Sequence, residues 1–100
     1  YPDAARELAI LRAKAPGAPE RLTKEIVAFV QRLRKSDLFK VPGVAETIDW
    51  ATALTELDAV GLDPQAVNDT LGVLLKYQDD IQKMQGGEAK AILDEVRAGR

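Results

Sequence analysis

The stretch ERLTKEIVAFVQRLRKS, residues 20–36, decides the fold class. Its apolar residues Leu22, Ile26, Phe29, Val30 and Leu33 recur at i, i+4, i+7, i+8 and i+11, which is one face of an α-helix. Arg21, Lys24, Glu25, Arg32 and Lys35 occupy the other face and read as solvated. Glu20 at the start and Arg34 and Lys35 at the end suit the helix dipole. An amphipathic helix of this kind needs other elements to cover its apolar stripe, so the rest of the chain is read for what could do so.

Upstream, Asp3 after Pro2 is a plausible N-cap for the segment AARELAILRAK, residues 4–14. Leu8 and Leu11 share a face there with Ala4 and Ala5. The run APGAP, residues 15–19, cannot continue a helix. Downstream, DLFKVPG at residues 37–43 breaks the pattern, and Pro42-Gly43 marks a turn. The segment VAETIDWATALTEL, residues 44–57, then presents Ile48, Ala51, Leu54 and either Trp50 or Leu57 on one side. Asp63-Pro64 places a capping side chain before a proline at the first helical position. The helix PQAVNDTLGVLLKY, residues 64–77, turns Val67, Leu71, Leu74 and Leu75 inward. Gly72 inside it costs about 1 kcal/mol against alanine, which predicts a close packing contact. QDDIQKMQ, residues 78–85, continues this helix or follows a kink, and Gly86-Gly87 ends it. A last helix, EAKAILDEVRA, presents Ile92, Leu93 and Val96. Strand signals are nearly absent. The prediction is an all-α fold, a compact bundle of five or six short helices with antiparallel neighbours, residues 1–100 forming one domain.

Composition narrows the function. A formal charge of -2 and a pI near 5.1 argue against nucleic acid as a main partner and against a polybasic membrane anchor. No apolar run approaches the roughly 20 residues that span a bilayer. The chain has no cysteine and no histidine, which removes most zinc sites and most nucleophile–base pairs. There is no phosphate-binding loop, nucleophile elbow or HExxH sequence. No catalytic or metal-binding residue is therefore assigned. A first residue of tyrosine rather than methionine reads as a piece cut from a longer chain.

Four features stand out against this background. Asp79-Asp80 is the nearest thing to a carboxylate pair, but adjacent helical residues point about 100° apart, so the pair reads as a solvated polar face. Arg32, Arg34, Lys35 and Lys40 form a local basic cluster, either a solvated helix end or a site for phosphate or an acidic neighbour. Trp50, the single tryptophan, reads as a core anchor. Glu46 lies just inside a helix N-terminus, where its charge suits the dipole.

The segment LRKSDLFKVPGVAETIDWATAL (residues 33–54), followed by NDTLGVLLKYQDD (residues 68–80), resembles the carboxy-terminal helical lid of MoxR-type AAA+ ATPases. The opening YPDAARELAILRAKAPGA is similar to the start of that lid. The nearest branch is that of the ATPases associated with maturation of carbon-monoxide dehydrogenase and similar metalloenzymes. PGVAETIDWA is the most specific element, and the resemblance covers almost the whole chain. It implies a lid that closes over ATP and Mg²⁺ held by an α/β core of the same protein, a core not contained in these residues. It further implies a homo-oligomeric ring, a partner bearing a von Willebrand factor A domain, and cytoplasmic, chaperone-like work on metalloenzymes.

Many relatives carry a sensor arginine where the third helix begins. Here Glu46 stands near that position, and no arginine occurs between Lys40 and Arg97. A glutamate does not stabilise phosphate charge as arginine does. The resemblance therefore implies that Lys40, Pro42, Gly43, Val44 and Glu46 form the nucleotide-facing or intersubunit edge, acting through backbone N–H groups at the helix N-terminus. The alternative is a free-standing helical adaptor for protein interaction. Without a phosphate loop, a Mg²⁺-binding acid or a water-activating residue, the chain by itself should release no phosphate from ATP. A steady-state phosphate-release assay on contaminant-free material checks this.

Overall fold

The apolar stripe of residues 22–33 is the centre of the molecule in the computed structural model, which describes residues 1–99. Leu22, Ile26, Phe29, Val30 and Leu33, all on helix α2 (Glu20–Leu33), have no exposed surface. Helix α1 (Ala4–Lys14) packs along α2, and α3 (Val44–Glu56) crosses both. Helix α4 (Pro64–Leu74) runs against α3. A short α5 (Gln78–Lys83) leads through a kink at Gly87 into α6 (Ala89–Arg97), which returns to α2 and α4. The all-α bundle is thus as expected, with six α-helices and no strand among the described residues.

Local chemistry explains the boundaries. Asp3 caps α1 by accepting from the Arg6 amide at 2.8 Å, and Asp63 caps α4 by accepting from the Ala66 amide at 2.9 Å. Helix α3 ends in a Schellman motif: the Ala59 amide reaches back to the Leu54 carbonyl and the Asp58 amide to that of Thr55. Asp58 supplies the left-handed residue, with φ of 59°. The exposed Arg12 and Glu20 side chains pair across the α1–α2 turn, and the hydrogen bond from Arg12 holds the Glu20 carboxyl below its ordinary range.

Several local expectations are corrected. Helix α4 stops at Leu74 rather than running to Tyr77, because Leu75 turns extended at φ −114°, ψ 137° and carries its side chain into the core. Gly72 makes no close contact: a Cβ placed there meets nothing within 4 Å. Gly86-Gly87, by contrast, interrupts the helix as expected: Gly87 adopts a non-helical φ of 129°, open to glycine, and α6 starts beyond this kink. On α1 the inward residues are Glu7 and Leu11, with Leu8 half-buried and Ala4 and Ala5 exposed. Of Trp50 and Leu57, it is Trp50 that is buried, while Leu57 is 59% exposed.

Phe29 and Trp50 tie α2 to α3, their ring centroids 5.3 Å apart and tilted by 49°. The indole N–H donates to Thr70 Oγ1 at 2.7 Å, so the tryptophan reaches α4 with its one polar atom satisfied. Truncating Phe29 therefore opens a cavity where three helices meet. Phe29→Ala should cost about 3–5 kcal/mol, a large share of the roughly 5–15 kcal/mol that such a domain has. Denaturant unfolding of both forms measures it, and a loss below about 1 kcal/mol would contradict full burial of the ring.

Candidate functional site

The segment between α2 and α3, residues 35–43, carries no helix of its own yet is held at almost every step. Its backbone groups are satisfied by charged side chains from distant helices. Lys83 Nζ donates to the Asp37 carbonyl at 2.6 Å. The Asp80 carboxylate, 2% exposed, accepts from the Phe39 amide at 2.9 Å and the Lys40 amide at 3.2 Å. Arg34 Nε donates to the Pro42 carbonyl at 2.8 Å. Asp80 is therefore not part of a solvated face. A buried carboxylate is stable only if its lone pairs are engaged, and two loop amides engage these. Asp79, its neighbour, is exposed as expected.

Arg34 leaves the expected basic cluster altogether. Its side chain is 8% exposed and forms a bidentate pair with Glu7, whose side chain is fully buried. The two N–H···O distances are 2.9 and 2.6 Å. Gln31 Nε2 donates to the same carboxylate at 2.9 Å and to the Pro2 carbonyl at 3.2 Å. The Tyr1 ring lies over the guanidinium, 4.8 Å from centroid to Cζ. Arg32 instead pairs with Glu95 at 2.9 Å, joining α2 to α6 at the surface. Glu25, expected on the solvated face, is half-buried and accepts from the Leu62 amide at 2.7 Å. A Cβ at Gly61 would lie 2.8 Å from that carboxylate, so any larger residue there makes the Glu25 side chain shift.

The residues assigned to the edge come together. Lys40 is exposed, Pro42 is buried, and Gly43, Val44 and Glu46 are half-buried. Glu46 curls back so that Oε1 accepts from the Gly43 amide at 2.8 Å. This is half of a capping box, since Gly43 has no side chain to return the bond. Thr47 Oγ1 donates to the Gly43 carbonyl at 2.8 Å. Gly43 itself is extended, at φ −90° and ψ −169°, a conformation open to any residue. Its lack of a Cβ matters because one there would approach Glu46 Oε1 to 3.2 Å and the Tyr1 ring to 3.7 Å. Lys40, Pro42 and Glu46 border one depression with Val41, Leu74 and Lys76, and it is too tight to admit water. Lys40 and Glu46 make no ion pair with each other among the described residues.

Sequence reading missed Glu7, and it singled out Asp80 only as part of a solvated pair, although both hold this edge. Nothing in the local pattern marks either one as buried. Their partners are 27 and 40–41 residues away along the chain. Among the described residues no cluster of metal-ligating side chains occurs, and no helix is long and apolar enough to cross a membrane. Comparison with known proteins gives no significant match to a family model, to a curated protein or to a solved structure.

The Glu7–Arg34 pair yields a sharp test. Glu7→Ala strands a buried guanidinium and should destabilise by about 3–5 kcal/mol. The double variant Glu7→Leu with Arg34→Met removes both charges and should cost clearly less than the two single changes summed. Urea unfolding of the wild type, the singles and the double measures the coupling, and additive losses would mean that the two side chains act independently.

Proposed function

We propose that the chain is the helical lid of a MoxR-type AAA+ ATPase, closing over nucleotide bound by a core domain and supporting ring assembly for maturation of metalloenzymes. The observation that carries this reading is the sequence PGVAETIDWA, residues 42–51, whose resemblance to that lid is the most specific in the chain. Its geometry is compatible with the role. The α3 N-terminus lies at the edge of the bundle, and its first-turn amides have no intrahelical acceptor. Such an end carries a partial positive charge that favours phosphate oxygens. Lys40, exposed just before it, adds a cation.

Glu46 modifies that role. Its carboxylate holds the Gly43 amide and sets a negative charge beside the helix end. Lid action in this reading runs through backbone donors and contacts with neighbouring subunits rather than through an arginine side chain. A second reading, a free-standing adaptor that binds another protein, draws on the exposed aromatic side chains Phe39 and Tyr77.

The reading frame upstream of Tyr1 separates the two. A phosphate-binding loop within roughly one domain length, about 200 residues, is the expected finding for the lid. A start codon immediately before Tyr1 would sink it. In the ATPase so defined, Glu46→Gln keeps an acceptor for the Gly43 amide while removing the charge. It should tighten ATP binding by a few-fold, because less repulsion opposes the phosphates. Glu46→Arg gains a cation but loses the cap, so it should destabilise α3 by about 0.5–2 kcal/mol. Isothermal titration with ATP and thermal unfolding of both variants check the two effects separately, and unchanged affinity in Glu46→Gln would place the nucleotide elsewhere.

A further inference from the structure

Helix α1 is anchored differently from the helix it lies on. Of its 11 residues only Glu7 and Leu11 are buried, whereas α2 buries seven. Leu8 and Ile10 are half-buried, and the remainder of α1 is exposed. One leucine and one ion pair therefore carry most of its docking onto α2 and α3. Segments with few buried apolar contacts lie at the low end of local stability. A detached helix of this length is marginal in water, so α1 loses its structure when it loses its place.

What α1 leaves behind is a receptor for a carboxylate. Arg34 does not depend on Glu7 for its position. Its Nε donates to the Pro42 carbonyl at 2.8 Å, and its Nη2 reaches Thr47 Oγ1 at 3.4 Å. Gln31 projects one turn earlier on the same side of α2. Its Nε2 and the guanidinium Nη1 each lie 2.9 Å from Glu7 Oε1, and Nη2 lies 2.6 Å from Oε2. Three N–H donors thus meet both oxygens of one carboxylate, the forked geometry in which a guanidinium binds that group best. Glu7 is the only acid on α1. The Tyr1 ring just before α1 covers the guanidinium and stands over Gly43, so departure of this segment also uncovers the start of α3.

We propose that Arg34 and Gln31 form a carboxylate-binding site whose resident ligand is Glu7, and that α1 is a latch which leaves this site as a unit. While α1 is docked, Arg34 is 8% exposed and no other carboxylate reaches it. Once α1 is released, the fork faces solvent beside the lead-in of α3 and takes a carboxylate from another molecule. Neither part depends on the lid assignment.

Native-state hydrogen exchange on the wild type at about pH 7, where carboxylates are ionised, reads the latch. The α1 amides should be protected at least about tenfold less than those at the centre of α2, through an opening with a smaller urea dependence. Equal protection and one urea slope for both helices overturn the latch. The site is read with acetate, because Glu7→Ala removes the CH₂–COO⁻ fragment that acetate supplies. In Glu7→Ala, about 0.2 M acetate should raise α1 protection about threefold over chloride at the same concentration, which corresponds to a dissociation constant near ~0.1 M. The double variant Glu7→Ala with Arg34→Met should show no difference between the two salts. If Glu7→Ala is unfolded in chloride, acetate should restore its helical circular dichroism. Acetate that acts no better than chloride, or that acts equally on the double variant, overturns the carboxylate site.

Discussion

Two opposite charges, Glu7 and Arg34, lie where solvent does not reach, and the ends of three helices are arranged around them. Burying a carboxylate and a guanidinium costs several kcal/mol for each ion unless every donor and acceptor finds a partner. Here they do. The guanidinium gives two hydrogen bonds to Glu7 and one to the Pro42 carbonyl, and the carboxylate also accepts from Gln31. No side-chain polar atom buried among the described residues is left without a partner. The pair therefore constrains more than it stabilises. Helix α1 must present Glu7 at one height, α2 must end at Arg34, and the segment before α3 must bring a carbonyl to the third side of the fork.

The same device recurs at the other loops. Asp80 from α5 holds the amides of Phe39 and Lys40, Glu25 from α2 holds that of Leu62, and Glu46 holds that of Gly43. Arg97 from α6 donates to the Leu62 carbonyl at 2.8 Å, beside the Glu25 contact. A helical bundle has no ladder of strand hydrogen bonds to satisfy its connections, so each loop's backbone groups need side chains or water. This chain uses ionised side chains, whose hydrogen bonds are roughly twice as strong as neutral ones. Its loops are consequently tied to the helices by charge-assisted hydrogen bonds.

These ties bear on the edge formed by Lys40, Pro42, Gly43, Val44 and Glu46. Pro42 is tied through Arg34 to Glu7 on α1, and Tyr1 covers both the guanidinium and the Gly43 position. Helix α1 and the lead-in of α3 are therefore joined by charge-assisted contacts through Arg34 and by the Tyr1 ring.

The amphipathic stripe of α2 was legible because a 3.6-residue period in Leu22, Ile26, Phe29, Val30 and Leu33 has one physical solution, and all five are buried. The caps at Asp3 and Asp63 were legible for a similar reason, since they act on amides three residues away. Trp50 and the inward face of α4 followed from size and spacing. The burial of Glu7, Arg34, Glu25 and Asp80 was not legible. Glu25 and Asp80 read from the sequence as solvated, Arg34 was open between a solvated helix end and a site for phosphate or an acidic neighbour, and Glu7 carried no signal. A charged residue is placed inside only when a partner of the right geometry arrives from elsewhere in the chain, and local pattern does not carry that information. Gly72 and Gly61 make the same contrast: the one predicted to be crowded is open, and the other is crowded by a carboxylate 36 positions earlier in the chain. Sequence alone determined which segments are helical and which faces are apolar, because both depend on neighbours within one or two turns. Tertiary structure alone decided which charges are buried, because that depends on contacts between residues tens of positions apart.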